Sequence, residues 1–169
     1  MKRLMLAALL LLAIPGVRTG QASSAAEVRW RAWDVGLREA GKTQRPVLVD
    51  VYTDWCGWCK RMDRDVYSRP EVRNYLSSRF VTIRLNAEAN DAARYEGRSW
   101  TSRSLASRFE VSGYPTTIFL RSNGEHLANL PGYIEADRFL LLLRYVGEGA
   151  MDRGVSFEDF SRSAGAAAH

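Results

Sequence analysis

The sequence predicts an α/β fold, a central mixed β-sheet flanked by helices on both faces, and three observations carry that reading. Short β-branched runs, VLVDVY, FVTIRL and TTIFLR, recur between segments of helical periodicity, and strand–helix–strand crossovers of this kind make parallel neighbours. The turn SNG (122–124) joins the third run directly to EHLANL, which makes an antiparallel hairpin. About 143 residues follow the first 26, enough for one hydrophobic core.

Those first 26 residues stand apart. A positive start (Lys2, Arg3) leads into an apolar run from Leu4 to Ile14, broken by Pro15 and Gly16. The run is too short for a bilayer, which takes about 20 residues. With the small residues of QASSAAE behind it, it reads as a secretory signal cleaved after Ala26. The expected organisation is a signal peptide at 1–26, a folded domain at 27–147, and a short helix with a flexible tail at 148–169. No later run reaches transmembrane length, so stable membrane insertion is not expected. The chain holds 24 Lys+Arg and 19 Asp+Glu, and losing Lys2, Arg3 and Arg18 with the signal leaves a formal +2. The remaining arginines alternate with acids, which describes a solvated surface and excludes a basic stripe for nucleic acid.

Within the domain, Trp30, Trp33, Leu37 and Ala40 at helical spacing predict a first helix ending at Gly41, with Pro46 beyond. PVLVDVYT follows as a buried central strand, interrupted by Asp50. From Gly57 the pattern turns helical, with Cys59, Met62 and Val66 on one face, until Pro70 breaks it. Val72, Tyr75 and Leu76 carry a further helix to about Ser78. FVTIRL (80–85) is the second strand. NAEANDAARYEGRSW reads as polar and irregular; it is either a partner-selecting loop anchored by Tyr95 and Trp100 or a neutral surface insertion. TSRSLASRFEV is a short helix capped by Thr101 or Ser102. TTIFLR (116–121) and EHLANL form the hairpin, and Ala136, Phe139, Leu140 and Leu143 mark a closing helix. SFEDFSRSAGAAAH adds one short helix and a tail.

The chemistry lies in VDVYTDWCGWCKRMDRDVY (49–67), which holds both cysteines of the chain, Cys56 and Cys59. A structural disulfide would close a very short loop, where loop entropy contributes least. Zinc needs about four ligands, and only His126 and His169 are left to help, so no metal site is assigned. A reversible dithiol fits better. A helix N-terminus stabilises a thiolate, and Cys56 sits at the strand-to-helix junction, so it should be the exposed, low-pKa sulfur. Cys59, inward with Met62 and Val66, should be the shielded partner that resolves a mixed disulfide. Asp50, a carboxylate inside an apolar strand, should have a raised pKa. It is either the acceptor of the Cys59 proton or a core aspartate bound to a neighbouring side chain.

Together these residues resemble the thioredoxin superfamily over roughly residues 30–145. VDVYTDWCGWCK resembles the signature of an apolar strand with an Asp followed by W-C-G-x-C-K, with Trp55, Gly57, Trp58 and Lys60 as the motif's supporting residues. GYPT (113–116) resembles the second signature, in which Pro115 would be cis and face the disulfide while the backbone of Tyr114 holds a substrate segment. Gly132 resembles the glycine that opens the substrate surface after the last strand. Within the superfamily, WCGWCKRMDRDVYSRPEV is similar to exported bacterial thioredoxin-related proteins. Trp58 departs from the proline of ordinary thioredoxins, and the motif lacks the His of the oxidases. The resemblance implies a thioredoxin-like fold and a periplasmic thiol–disulfide oxidoreductase without a bound cofactor. Cys56 would attack and Cys59 resolve, with protein thiols and disulfides as partners. It also implies a reducing direction, a membrane-bound electron donor and a monomer. Oxidase- or isomerase-like exchange and a non-catalytic binding module stay open as alternatives.

Overall fold

The computed structural model describes residues 27–166; the expected signal peptide and His169 lie outside the described residues. Helix α1 (Trp33–Thr43) leads into strand β1 (Val47–Tyr52), followed by α2 (Gly57–Met62), a π-helical turn (Asp63–Tyr67) and α3 (Pro70–Arg79). Strand β2 (Val81–Asn86) precedes a short hairpin, β3 (Ala92–Tyr95) and β4 (Arg98–Thr101), and then α4 (Ser102–Arg108). Strands β5 (Thr116–Leu120) and β6 (His126–Pro131) and helices α5 (Ala136–Gly147) and α6 (Phe157–Ala166) complete the chain.

The main sheet has the order β2-β1-β5-β6. β1 is parallel to β2 and antiparallel to β5, and β5 is antiparallel to β6 with a register shift at Phe119/Leu120. Strand alternation divides the core between the two faces. Val47, Val49 and Val51 face α1, α4 and the small hairpin, packing with Trp33, Leu105, Phe109 and Tyr95. Leu48 and Phe119 face the other way, against Met62, Val66, Tyr67, Phe139 and Leu143. Asp50 shares the parity of Leu48, and this parity points its carboxylate toward the layer that carries α2 and α5.

The mixed sheet with helices on both faces matches the expectation; three local readings change. The first helix begins at Trp33, not Trp30, and runs past Gly41 to Thr43, where Gln44 closes it at φ 55°. The segment before it is extended: Arg31 forms a parallel bridge to Ile83, its amide donating to the Thr82 carbonyl at 3.0 Å. Trp30 therefore packs edge-on against Tyr67 in one layer while Trp33 packs in the other. Pro70 does more than stop a helix, because it opens α3 at the first helical position, where its missing N–H costs nothing. The polar stretch 86–103 is not irregular. It folds into the β3–β4 hairpin around Glu96 and Gly97, both at positive φ (49° and 74°), the geometry of a two-residue primed turn. Tyr95 is buried, its hydroxyl donating to the Gly124 carbonyl at 3.1 Å, and the Trp100 indole donates to the Tyr95 carbonyl at 3.2 Å. Both aromatics anchor the hairpin to the core, Tyr95 buried and Trp100 half-buried.

Candidate active site

The site forms where β1 runs out and α2 begins. Thr53 accepts a hydrogen bond from the Cys56 amide at 3.2 Å, and Cys56 is the N-cap of α2 in extended conformation. Its sulfur accepts from the Cys59 amide at 3.0 Å. The two cysteines are joined as a disulfide. Donors at a helix start stabilise negative charge, so the same amide is placed to stabilise a Cys56 thiolate once the bond opens. Contrary to the sequence expectation, Cys56 is no more exposed than Cys59: both are 3% exposed. The cause is local. The Cys56 side chain turns back over the first turn of α2, while Trp55 (66% exposed) and Trp58 (54%) project outward on either side.

These tryptophans frame the disulfide with aromatic pairs. Trp55 meets Tyr114 edge-on at 6.0 Å, and its indole donates to the Glu88 carboxylate at 3.1 Å. Trp58 lies 5.6 Å from Tyr133, and the Arg61 guanidinium sits 5.1 Å from both rings, a separation suited to cation–π attraction. The Tyr114–Pro115 peptide is cis, and the Pro115 carbonyl accepts from the Gly132 amide at 2.8 Å. Gly132 has φ 85°, and a Cβ there would meet no atom within 4 Å, so the glycine serves the backbone conformation and not a steric need. Tyr114, Pro115 and Gly132 thus lie together beside the motif. Lys60 is exposed on α2, and the Asn86 amide donates to Asp54 at 3.3 Å.

On the face of β1 that carries α2 lies a polar cluster, buried at Asp50 and Tyr67 and open to solvent at Asp63. Asp50, 1% exposed, accepts from the Tyr67 hydroxyl at 3.3 Å and from Arg84 Nε at 3.1 Å. Arg84 is its register partner on β2 and reaches Asp63 with Nη2 at 2.7 Å to both carboxylate oxygens. The guanidinium is stacked between Trp30 and Tyr52, 5.2 and 4.7 Å from their rings. Burial raises the Asp50 carboxyl from its ordinary 3.8 to about 6; Arg84 opposes the rise, Asp63 adds to it, and the Tyr67 bond opposes it weakly. Burial, and then the Asp50 charge, push the Tyr67 phenol well above its usual range. The carboxylate is therefore bound to neighbouring side chains, as the core-aspartate reading expects, and its pKa is raised.

Sequence reasoning missed Arg84, Asp63 and Tyr67. One signal was available: FVTIRL carries a lone charge of the opposite sign to the one in VLVDVY, as a paired site on adjacent strands would. The π-helical turn had no such signal. It follows α2 directly, and the residues at its two ends, Asp63 and Tyr67, are the ones that reach the Arg84–Asp50 pair.

The family described as the thioredoxin-like domain matches residues 33–147. The chain belongs to it. A thiol:disulfide interchange protein DsbD from Ralstonia nicotianae is 34% identical over 112 residues, 66% of this chain and 17% of that protein. The DsbD of Escherichia coli K12 is 33% identical over 102 residues, 59% of this chain and 16% of the relative. The chain thus spans about a sixth of the length of the curated relatives it matches. Among solved structures, a thioredoxin from Thermus thermophilus aligns at TM-score 0.60 and 29% identity, over 74% of this chain and 93% of that one. A thioredoxin-fold protein from Helicobacter pylori aligns at TM-score 0.64, over 73% of this chain and 82% of its own; at 21% identity it speaks for the fold alone. A cysteine pair at a helix start can open and close reversibly between dithiol and disulfide.

Proposed function

We propose that this chain is a periplasmic thiol–disulfide oxidoreductase that reduces protein disulfides through Cys56 and Cys59. The observation that carries the reading is the Cys56–Cys59 disulfide at the N-terminus of α2, in a domain related to proteins named for thiol:disulfide interchange. In the reduced form, the Cys56 thiolate attacks one sulfur of a partner disulfide and the other sulfur leaves as a thiolate. Cys59 then loses its proton and attacks Cys56, releasing the second partner thiol and closing the Cys56–Cys59 bond. Two electrons pass to the partner; the Cys59 proton supplies one of the partner's thiols, and solvent supplies the proton of the other. Asp50, on the face of β1 that carries α2, is the acceptor that relays the Cys59 proton. Its carboxyl titrates at about 6, near working pH, where a general base is most effective.

The reducing direction is supported by the composition of the motif. Gly57 and Trp58 occupy the places where a His would favour the thiolate, so the dithiol is less stabilised than in a dedicated oxidant. Tyr114, Pro115 and Gly132 form the backbone surface on which the partner segment rests. Electrons return from a membrane-bound donor, because the domain carries no nicotinamide-binding sequence, and the chain acts as a monomer. The low exposure of both sulfurs favours one rival, a binding module whose disulfide stays closed, and the same experiment decides between them. Cys59→Ser should trap partners disulfide-linked through Cys56, separable on a non-reducing gel and released by dithiothreitol. The rival requires no trapped species, and unchanged function with both cysteines replaced by Ser.

A further inference from the structure

A groove of about 680 Å³ opens between the outer strand β6 and helices α5 and α6. Its lining is apolar: Phe119 and Leu130 from the sheet, Leu142 from α5, and Met151 and Phe157 from the C-terminal segment. Cavities of roughly 300–1,000 Å³ with such linings are the usual size of ligand sites. The exchange chemistry makes no use of it.

Two contacts connect the groove to the cysteines. Tyr133 lines it and also stacks at 5.6 Å on Trp58, inside the C-G-W-C motif. Pro131, at its near end, is the register partner of Thr116, the residue after Pro115, and the neighbouring Gly132 amide is bonded to the Pro115 carbonyl. The apolar surface therefore passes from Trp58 to Tyr133 and into the groove. Its far wall, Met151 and Phe157, lies beyond the 33–147 family match. Phe157 and Phe160 both stack on Tyr145, at 5.5 Å each, and this holds α6 against α5.

Resting on the exchange reading above, we infer that the groove binds the partner polypeptide: an apolar side chain in the same extended segment as the reacting cysteine, several residues away from it. A partner whose sulfur lies against Cys56 already has its flanking chain at Trp58 and Tyr133. A side chain tethered a few residues along enters the groove as an intramolecular event, at high effective concentration, and a free small molecule has no such advantage. Glu135 and Arg138 at the rim carry opposite charges, so the selection is for apolar surface and not for the partner's charge.

The test uses the reduced full chain and symmetric disulfide-linked peptide dimers, each giving two peptide thiols as the protein disulfide closes. One dimer is a bare Gly-Cys-Gly; the others extend it on both sides with either Leu and Phe or Ser. The second-order rate constant should be about tenfold or more higher for the Leu/Phe dimer than for the Ser dimer, the scale of burying one apolar side chain. Leu142→Gln, which polarises the groove, and Ala128→Phe, which fills it, should each remove that preference while leaving the Gly-Cys-Gly rate unchanged. If one variant fails to fold, the other carries the comparison. Equal rates for the Leu/Phe and Ser dimers in the unaltered chain overturn the groove assignment alone. No reduction of any dimer overturns the exchange reading and the groove with it. A dimer of the chain in sedimentation that Leu142→Gln dissociates would give the groove to a second copy and also overturn the proposal.

Discussion

Replacing Asp50 by Asn should make the oxidised protein more stable at pH 7.5 and leave it little changed at pH 4. The sign follows from linkage. The folded-state carboxyl is raised to about 6 from the ordinary 3.8, so between these values the native state holds a proton that the unfolded chain has released. Stability therefore falls as pH rises through that window, and the loss is complete above the folded value. At about 1.36 kcal/mol per pH unit, the window corresponds to a penalty of about 3 kcal/mol carried by ionised Asp50 at neutral pH. The side chain is 1% exposed, so solvent screening removes little of it. Asparagine keeps an oxygen that can accept from Arg84 and Tyr67, but it has no charge to desolvate. Urea unfolding of both proteins, followed by tryptophan fluorescence at intervals from pH 4 to 8, gives the difference in stability directly, and other titrating groups cancel. The expected gain of the variant grows from near zero at pH 4 to about 2–3 kcal/mol at pH 7.5. A difference that stays flat across the range would refute the argument, and it would place the Asp50 charge fully compensated by Arg84.

Three further outcomes follow from the same structure. In exchange kinetics, Asp50→Asn should slow the resolving step, seen as persistence of the mixed disulfide at pH 7, more than the first attack, seen as its formation. Arg84→Met should destabilise the oxidised protein by about 2–3 kcal/mol at pH 8, because two carboxylates lose their shared cation, and by less at pH 5, where Asp50 is protonated; paired pH-dependent melts test this. Gly36→Ala should lower stability by about 1–2 kcal/mol although alanine favours helix, because its Cβ would stand 2.3 Å from Cγ1 of Ile83 and overpacking outweighs propensity; a higher melting temperature would show that Ile83 can give way.

The strands and the cysteine motif were legible because their signals are local. Alternation in VLVDVY places Val47, Val49 and Val51 together whatever the rest of the chain does. Helix α1 was misplaced because Trp30 and Trp33 mimic helical spacing while an extended segment carries them to opposite layers, which a one-dimensional period cannot reveal. The β3–β4 hairpin escaped because its turn is Glu-Gly; glutamate at φ 49° is far rarer than the Asn or Asp that advertise such turns. At the site, the raised pKa of Asp50 could be read from one charge in an apolar strand. Its partners could not, since Arg84 depends on the β1–β2 register and Tyr67 on the π-helical turn. The low exposure of Cys56 was hidden for a related reason: helix-start chemistry says where the sulfur sits, not which way it turns.

The bridge between Arg31 and Ile83 has a consequence for how copies of this protein meet. An outer strand with bare N–H and C=O groups is a template on which another chain can add a strand. Arg31 occupies that position on β2, taking the Thr82 carbonyl and giving its own carbonyl to the Arg84 amide. At the opposite margin, β6 is interrupted by the register shift against Leu120 and ends in Pro131, which has no N–H to offer. Neither margin of the main sheet presents a long uninterrupted row of partners, so the sheet resists edge-to-edge growth while Trp55 and Trp58 stay exposed.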